Sequence, residues 1–299
     1  MKKIRFIFLI CILSWIIAGV AIFAFDLRVT SGMTYAIFAA AYMFIPAICA
    51  IILQAINKEK LFRNVYISFR LNWWFLIAGI IPVIYTFITL GINILFPNVS
   101  FSSSYEGLIA SLPADQAEAA IEQLTRFSPI VNLLITVGSA VFAGYTINAL
   151  FAFGEELGWR GYLLRELANK KFLVVSLITG IVWGLWHFPL ILIGHNYPQY
   201  PVIGVGMMTV WCILLSPVMT YIVIKSKSVI TAAIFHGVLN AIAGIGVLYL
   251  VGGNNLTNGV TGLAGFIALF SVNSAFFLYD KYVTKENIFS KTIGEFLKY

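Results

Sequence analysis

Runs of about twenty apolar residues recur along this chain of 299 residues. That recurrence limits the fold more than any single motif does. An α-helix needs about 20 apolar residues to cross the hydrocarbon core of a bilayer. Inside lipid every backbone N–H and C=O must be paired, which leaves only helices and closed barrels. The runs are continuous rather than alternating, so helices are expected. They lie at about 6–25, 34–56, 73–96, 130–165, 172–193, 203–224, 229–251 and 260–279. The expected fold class is all-α: a polytopic membrane protein of about eight transmembrane helices in one bundle, with residues 1–299 as a single integral membrane domain.

Charge supports this and orients it. Hydrophobic residues make up 61% of the chain and charged residues 10%, far from soluble globular usage. The net charge of +7 is spread singly over loops, with no basic stripe, so a nucleic-acid partner is not expected. Lys2, Lys3 and Arg5 precede the first run. Further basic residues fill the loops after the second, fourth and sixth runs and the C-terminal tail, whereas the opposite loops hold Arg28 and Arg126. Positive loops stay on the cytoplasmic side. N- and C-termini are therefore expected in the cytoplasm, with the first run as an uncleaved span. Cys11, Cys49 and Cys212 all fall in apolar runs and form no disulfide framework. One long polar segment, 97–128, interrupts the pattern. Asp115, Glu118 and Glu122 oppose Ala117, Ile121 and Leu124, and Pro113 suits a first helical turn. A solvated connector is the expected reading there, with a short amphipathic helix on the membrane surface as the alternative.

Of only 12 acidic residues, two adjoin at Glu155 and Glu156, at the end of an apolar run. Ionisable groups at membrane depth are costly and mark functional sites by default. Two of the three histidines, His187 and His236, also sit in apolar runs, and Asn240 lies one helical turn beyond His236. Glu156 and Arg160 are spaced i,i+4 with the acid first, the favourable orientation for a helical ion pair. Glu155 is one position round the helix and free to face elsewhere. At 1.5 Å per residue, Glu155 lies roughly 15 Å from Arg165, and His236 roughly 13–14 Å from Lys227. These two reach similar depth, while His187, sixteen residues past Lys171, would lie roughly 24 Å deep unless a loop or tilt shortens that; an intramembrane active-site cavity is the expectation. Pro189 should open the helix backbone near His187, and Trp159, Trp183 and Trp186 are candidates for the cavity wall. His195, beside Asn196 and two prolines, reads as a surface residue.

Neither a Gly-x-Ser-x-Gly elbow nor His-Glu-x-x-His nor a Walker loop is present. The set can still activate water. Water polarised between Glu155 and His187 can attack a peptide carbonyl, with His236 and the Asn240 amide stabilising the oxyanion. A zinc variant uses Glu155, His187 and His236 as three ligands with one open position. Spacing does not separate these two. The same buried groups also suit a proton-coupled transporter or a non-catalytic peptide-binding or immunity membrane protein. The absence of a visible internal repeat argues against a transporter.

Glu155-Glu156-x-x-x-Arg160, Trp183-x-x-x-His187 and His236-x-x-x-Asn240 resemble the three motifs of the CPBP family. These are the CAAX proteases and bacteriocin-processing enzymes, related to the eukaryotic prenyl-protein endopeptidase. The resemblance covers residues 130–250, which it marks as the protease core. It implies an eight-helix intramembrane bundle and a CAAX-type intramembrane endopeptidase. Glu155 would be catalytic, His187 would help activate water, His236 and Asn240 would form the oxyanion site, and Glu156 and Arg160 would support it. It favours glutamate-type chemistry with no cofactor, and keeps Zn2+ as the alternative. The implied partners are a peptide or protein substrate, membrane-anchored in some members, and the lipid bilayer. The compact chain and its lack of targeting tails, apart from the resemblance, suggest a prokaryotic source, so the expected location is a prokaryotic plasma membrane. One departure is Trp183, where the family usually has Phe; the expected consequence is for cavity shape more than for chemistry.

Overall fold

The computed structural model describes residues 2–112 and 114–297. Pro113, the candidate first residue of a helix in the polar segment, lies outside the described residues. The protein is mostly helical. Helix α1 (Lys2–Ala24) runs almost unbroken through the first apolar stretch, and α2 (Met33–Tyr42) and α3 (Ile45–Ile56) share the second. Helix α4 (Trp73–Asn93) starts where Asn72 caps it, its side chain accepting from the Trp74 amide at 3.0 Å.

The polar segment holds strand β1 (Val99–Phe101), the short helix α5 (Glu106–Ser111) and α6 (Ala114–Thr125), so a helix does form where the amphipathic pattern placed one. Helix α7 (Pro129–Tyr145) then leads to α8 (Ile147–Glu156), a π-helical stretch at Leu157–Leu163 and one turn of α9 (Leu164–Glu166). The single span expected over 130–165 is thus broken. Thr146 lies between α7 and α8 at φ −118°, ψ −102°, and its hydroxyl donates back to the Phe142 carbonyl at 2.7 Å.

Helices α10 (Phe172–Trp186) and α11 (Phe188–Leu192) meet at His187, with Pro189 in the first turn of α11. The long α12 (Pro201–Ser226) is followed by α13 (Val229–Ile242), capped by Ser228. The run expected at 229–251 stops short: α14 (Ile245–Tyr249) follows, then strand β2 (Leu250–Gly252). β2 pairs antiparallel with β1, Ser100 opposite Val251. Gly244 and Gly246, weak helix formers, sit where the helix gives way. Helix α15 (Leu263–Leu278), a π-helical turn at Tyr279–Thr284 and α16 (Ile293–Phe296) complete the chain.

By length and composition, five described helical stretches suffice to cross a membrane: Lys2–Ala24, Met33–Ile56, Trp73–Asn93, Pro201–Ser226 and Leu263–Thr284. A sixth is reached if Gln116–Thr125 and Pro129–Tyr145, bent by 102°, form one span. Phe172–Trp186 and Val229–Ile242 are apolar but shorter. Large apolar side chains point outward along these helices, among them Phe8, Ile37, Leu134, Val202 and Phe270. Phe23 is 90% exposed. Leaving a Phe in water forgoes about 1.5–3 kcal/mol of burial, a loss that an apolar surround removes.

The basic loops gather at one end of the bundle. Lys2 and Arg165 both pair with Glu59, at 2.5 and 2.8 Å. The Val229 amide donates to the Tyr66 carbonyl at 2.8 Å. Lys225 pairs with Glu286 at 2.5 Å, and the Phe172 amide donates to the Lys291 carbonyl at 2.9 Å.

Candidate active site

The two carboxylates end α8 and are buried by three neighbouring helices. α13 crosses α7 and α8 so closely that a Cβ on Gly237 would lie 2.7 Å from the Ala149 amide nitrogen and from the Gly144 carbonyl oxygen. On the other side, a Cβ on Gly158 would meet Pro46 of α3 at 2.4 Å. Glycine is the residue that permits such backbone approaches. His236, next to Gly237, is thereby carried up to α8.

Adjacency in sequence becomes a division of roles. Glu156 is fully buried and saturated: its Oε1 accepts from His236 Nδ1 at 2.9 Å, and Arg160 Nη1 donates to both its oxygens, at 3.2 and 3.1 Å. The expected i,i+4 pair is present, although Arg160 lies in the π-helical stretch. π-Bulges concentrate at functional sites. Glu155 faces the other way. Its Oε2 accepts from the Trp183 indole N–H at 2.8 Å, and its Oε1 accepts no hydrogen bond from the described residues.

His187 lies at the α10–α11 break, with Nδ1 2.8 Å from the Trp183 carbonyl oxygen. A carbonyl only accepts, so Nδ1 carries the proton and neutral His187 turns a lone pair outward on Nε2. The same logic places a proton on Nδ1 of His236, against Glu156.

Glu155, His187, His236 and Asn240 all line one cavity of about 530 Å³. Glu156 and Arg160 stand behind it. Four side chains from α8, the α10–α11 junction and α13 thus converge as the spacing implied, and His236 and Asn240 share one face of α13. Trp183 and Trp186 form part of the wall. Trp159 does not: it is buried behind Trp186, their ring centroids 6.1 Å apart. His195 is corrected in the other direction, because the loop after α11 folds back and sets it in the cavity lining beside Asn196, its ring 6.0 Å from that of Tyr35.

Other lining residues carried no signal in the sequence. Tyr42 of α2 donates to the Trp186 carbonyl at 3.3 Å, and Asn148 of α8 to that of Gly237 at 3.3 Å. Trp183 did carry one, as a departure from the family pattern, but its effect is more than shape: its N–H is a hydrogen-bond donor to Glu155. Among the described residues no three His, Cys, Asp or Glu side chains are grouped so that one metal ion reaches them as they stand.

A family model described as Type II CAAX prenyl endopeptidase Rce1-like matches residues 137–242, a stretch that holds Glu155, His187, His236 and Asn240. CAAX prenyl protease 2 of Methanococcus maripaludis is 30% identical over 202 residues, which are 65% of this chain and 67% of that protein. Fold, motif geometry and similarity together lead to one statement: the chain belongs to the Rce1-like CAAX prenyl endopeptidase family.

Proposed function

We propose that the protein is an intramembrane endopeptidase that hydrolyses a peptide bond with water activated by Glu155 and His187. The observation that carries this is the convergence of Glu155, His187, His236 and Asn240 on one cavity, with one carboxylate oxygen and one imidazole nitrogen left free to receive water. The water oxygen attacks the scissile carbonyl carbon while its proton passes to Glu155, and His187 Nε2 accepts the water's second hydrogen bond. As the C–N bond breaks, Glu155 returns the proton to the leaving amine.

Asn240 Nδ2 is the oxyanion donor that needs no change of protonation. His236 contributes only as an imidazolium, since with Nδ1–H against Glu156 its neutral Nε2 is an acceptor. Glu156 and Arg160 hold His236 in place and take no part in proton transfer.

The substrate is a peptide or protein presented at the membrane. A CAAX-type prenylated peptide is the first to assay, after the name of the relative. Residues 130–250 form the catalytic core. Eight crossings follow if α7–α8, α10–α11 and α13 are counted with the five long stretches. Both termini face the cytoplasm.

The test is cleavage of tagged peptides by purified protein. Glu155→Gln and His187→Ala should each abolish it, and a chelator should leave it unchanged. Zinc at one per chain that tracks activity through removal and re-addition would overturn the glutamate mechanism. Full activity of Glu155→Gln would overturn Glu155 as the base, and no cleavage by the wild type would leave the peptide-binding or transport readings standing.

A further inference from the structure

We propose that Trp183 is the positioning residue of this site, its indole N–H holding the Glu155 carboxylate with one oxygen turned to the cavity. The inference rests on the endopeptidase reading and deepens it. Trp183 is fully buried and contacts Glu155, His187, Arg160 and His236. Its N–H donates to Glu155 Oε2 at 2.8 Å, and its carbonyl accepts from His187 Nδ1 at 2.8 Å. The Arg160 guanidinium lies 4.4 Å from its ring centroid, and the His236 ring meets it edge-on at 5.5 Å.

Three features separate this from ordinary packing. A buried indole N–H does not always find a partner here, since that of Trp159 has none; that of Trp183 finds the one carboxylate aimed at the cavity. The bond is charge-assisted, the stronger class of hydrogen bond. It also engages Oε2, so the two oxygens of Glu155 are inequivalent and Oε1 is the one that meets water. Phenylalanine would keep a ring face for Arg160 and the backbone carbonyl for His187, and would lose the N–H together with the volume of the second ring.

That difference defines the experiment. Trp183→Phe is made in the full-length protein and assayed beside wild type and Glu155→Gln on the same peptide. The expected result is a fall in kcat of about 10- to 100-fold, the scale of one hydrogen bond to a charged group. KM should stay within about twofold, the signature of an interaction lost in the transition state and not in substrate binding.

A second measurement stands apart from activity and from the fold of Trp183→Phe. With 15N-labelled indoles, the Trp183 side-chain resonance should move upfield in Glu155→Ala as its acceptor is removed. An unmoved resonance would overturn the proposal. So would a wild-type kcat for Trp183→Phe in a protein that Glu155→Gln inactivates. Wild-type activity of Glu155→Gln would overturn the role of Glu155, and this inference with it, whereas no cleavage by the wild type would overturn the endopeptidase reading alone.

Discussion

Glu155 and Glu156 are chemically identical neighbours in opposite circumstances. Both oxygens of Glu156 are engaged, by Arg160 and His236, whereas only one of Glu155's is. Breaking a buried ion pair by removing one partner typically costs about 3–5 kcal/mol, because the other charge is left uncompensated. Glu156→Ala should therefore lower the melting temperature in detergent and release His236, while Glu155→Gln, which keeps its shape and its acceptor oxygen, should melt near wild type. Equal melting of Glu156→Ala and wild type would remove the structural role assigned to the pair. Asn240 sits at the open side of the cavity with no hydrogen bond to the described residues, as suits a donor kept for a ligand. Loss of one oxyanion donor costs about 10²–10³ in turnover, so Asn240→Ala should retain activity above that of Glu155→Gln.

Elements bring these residues within reach. α13 presents His236 and Asn240 only because Gly237 lets it lie against α7 and α8. Gly237→Val would force backbone apart from backbone, an overpacking that typically costs about 1–3 kcal/mol. Activity should fall by more than the loss of stability explains, as His236 leaves Glu156. A Gly237→Val protein with wild-type kcat would show that the close approach is not needed.

At the loop end, burial alone would raise the Glu59 carboxyl, but Lys2 and Arg165 outweigh it and hold it below its ordinary value of 4.5. A lowered carboxyl pKa adds stability that is complete above the unfolded value and is lost as the pH falls through the lower folded one. Melting temperature should accordingly decline with acidification below about pH 4.5, and Glu59→Gln should flatten that decline. An unchanged acid slope would mean the Lys2–Glu59–Arg165 cluster contributes nothing.

Across the whole molecule, the N-terminus, the loop after α3, the turn between α12 and α13 and the C-terminal segment share one end, while the β1–β2 ribbon caps the segment between α4 and α7. If the basic end faces the cytoplasm, the polar segment faces outside. A cysteine placed at exposed Ser103 should react with an impermeant maleimide in intact cells, above the background of Cys11, Cys49 and Cys212. Labelling only after permeabilisation would invert the orientation. The packing of these helices against one another is also why the cavity can be lined by α2, α8, α10 and α13 at once.

Local patterns sufficed for much of this. Length and apolar continuity placed the long helices α1, α4, α12 and α15, since crossing lipid demands both within one segment. The scarcity of ionisable groups singled out Glu155, Glu156, His187 and His236, and i,i+4 spacing alone paired Glu156 with Arg160 and His236 with Asn240. What spacing does not carry is direction across the bundle. The break at Thr146, the π-helical turn after Glu156 and the contact at Gly237 decide which carboxylate is saturated and which is free. The fold of the loop after α11 decides that His195 lines the cavity, and the rotamer of Trp183 decides that an apparent change of shape is a hydrogen bond. Each depends on a partner distant in sequence, and distance in sequence is what a local pattern does not see.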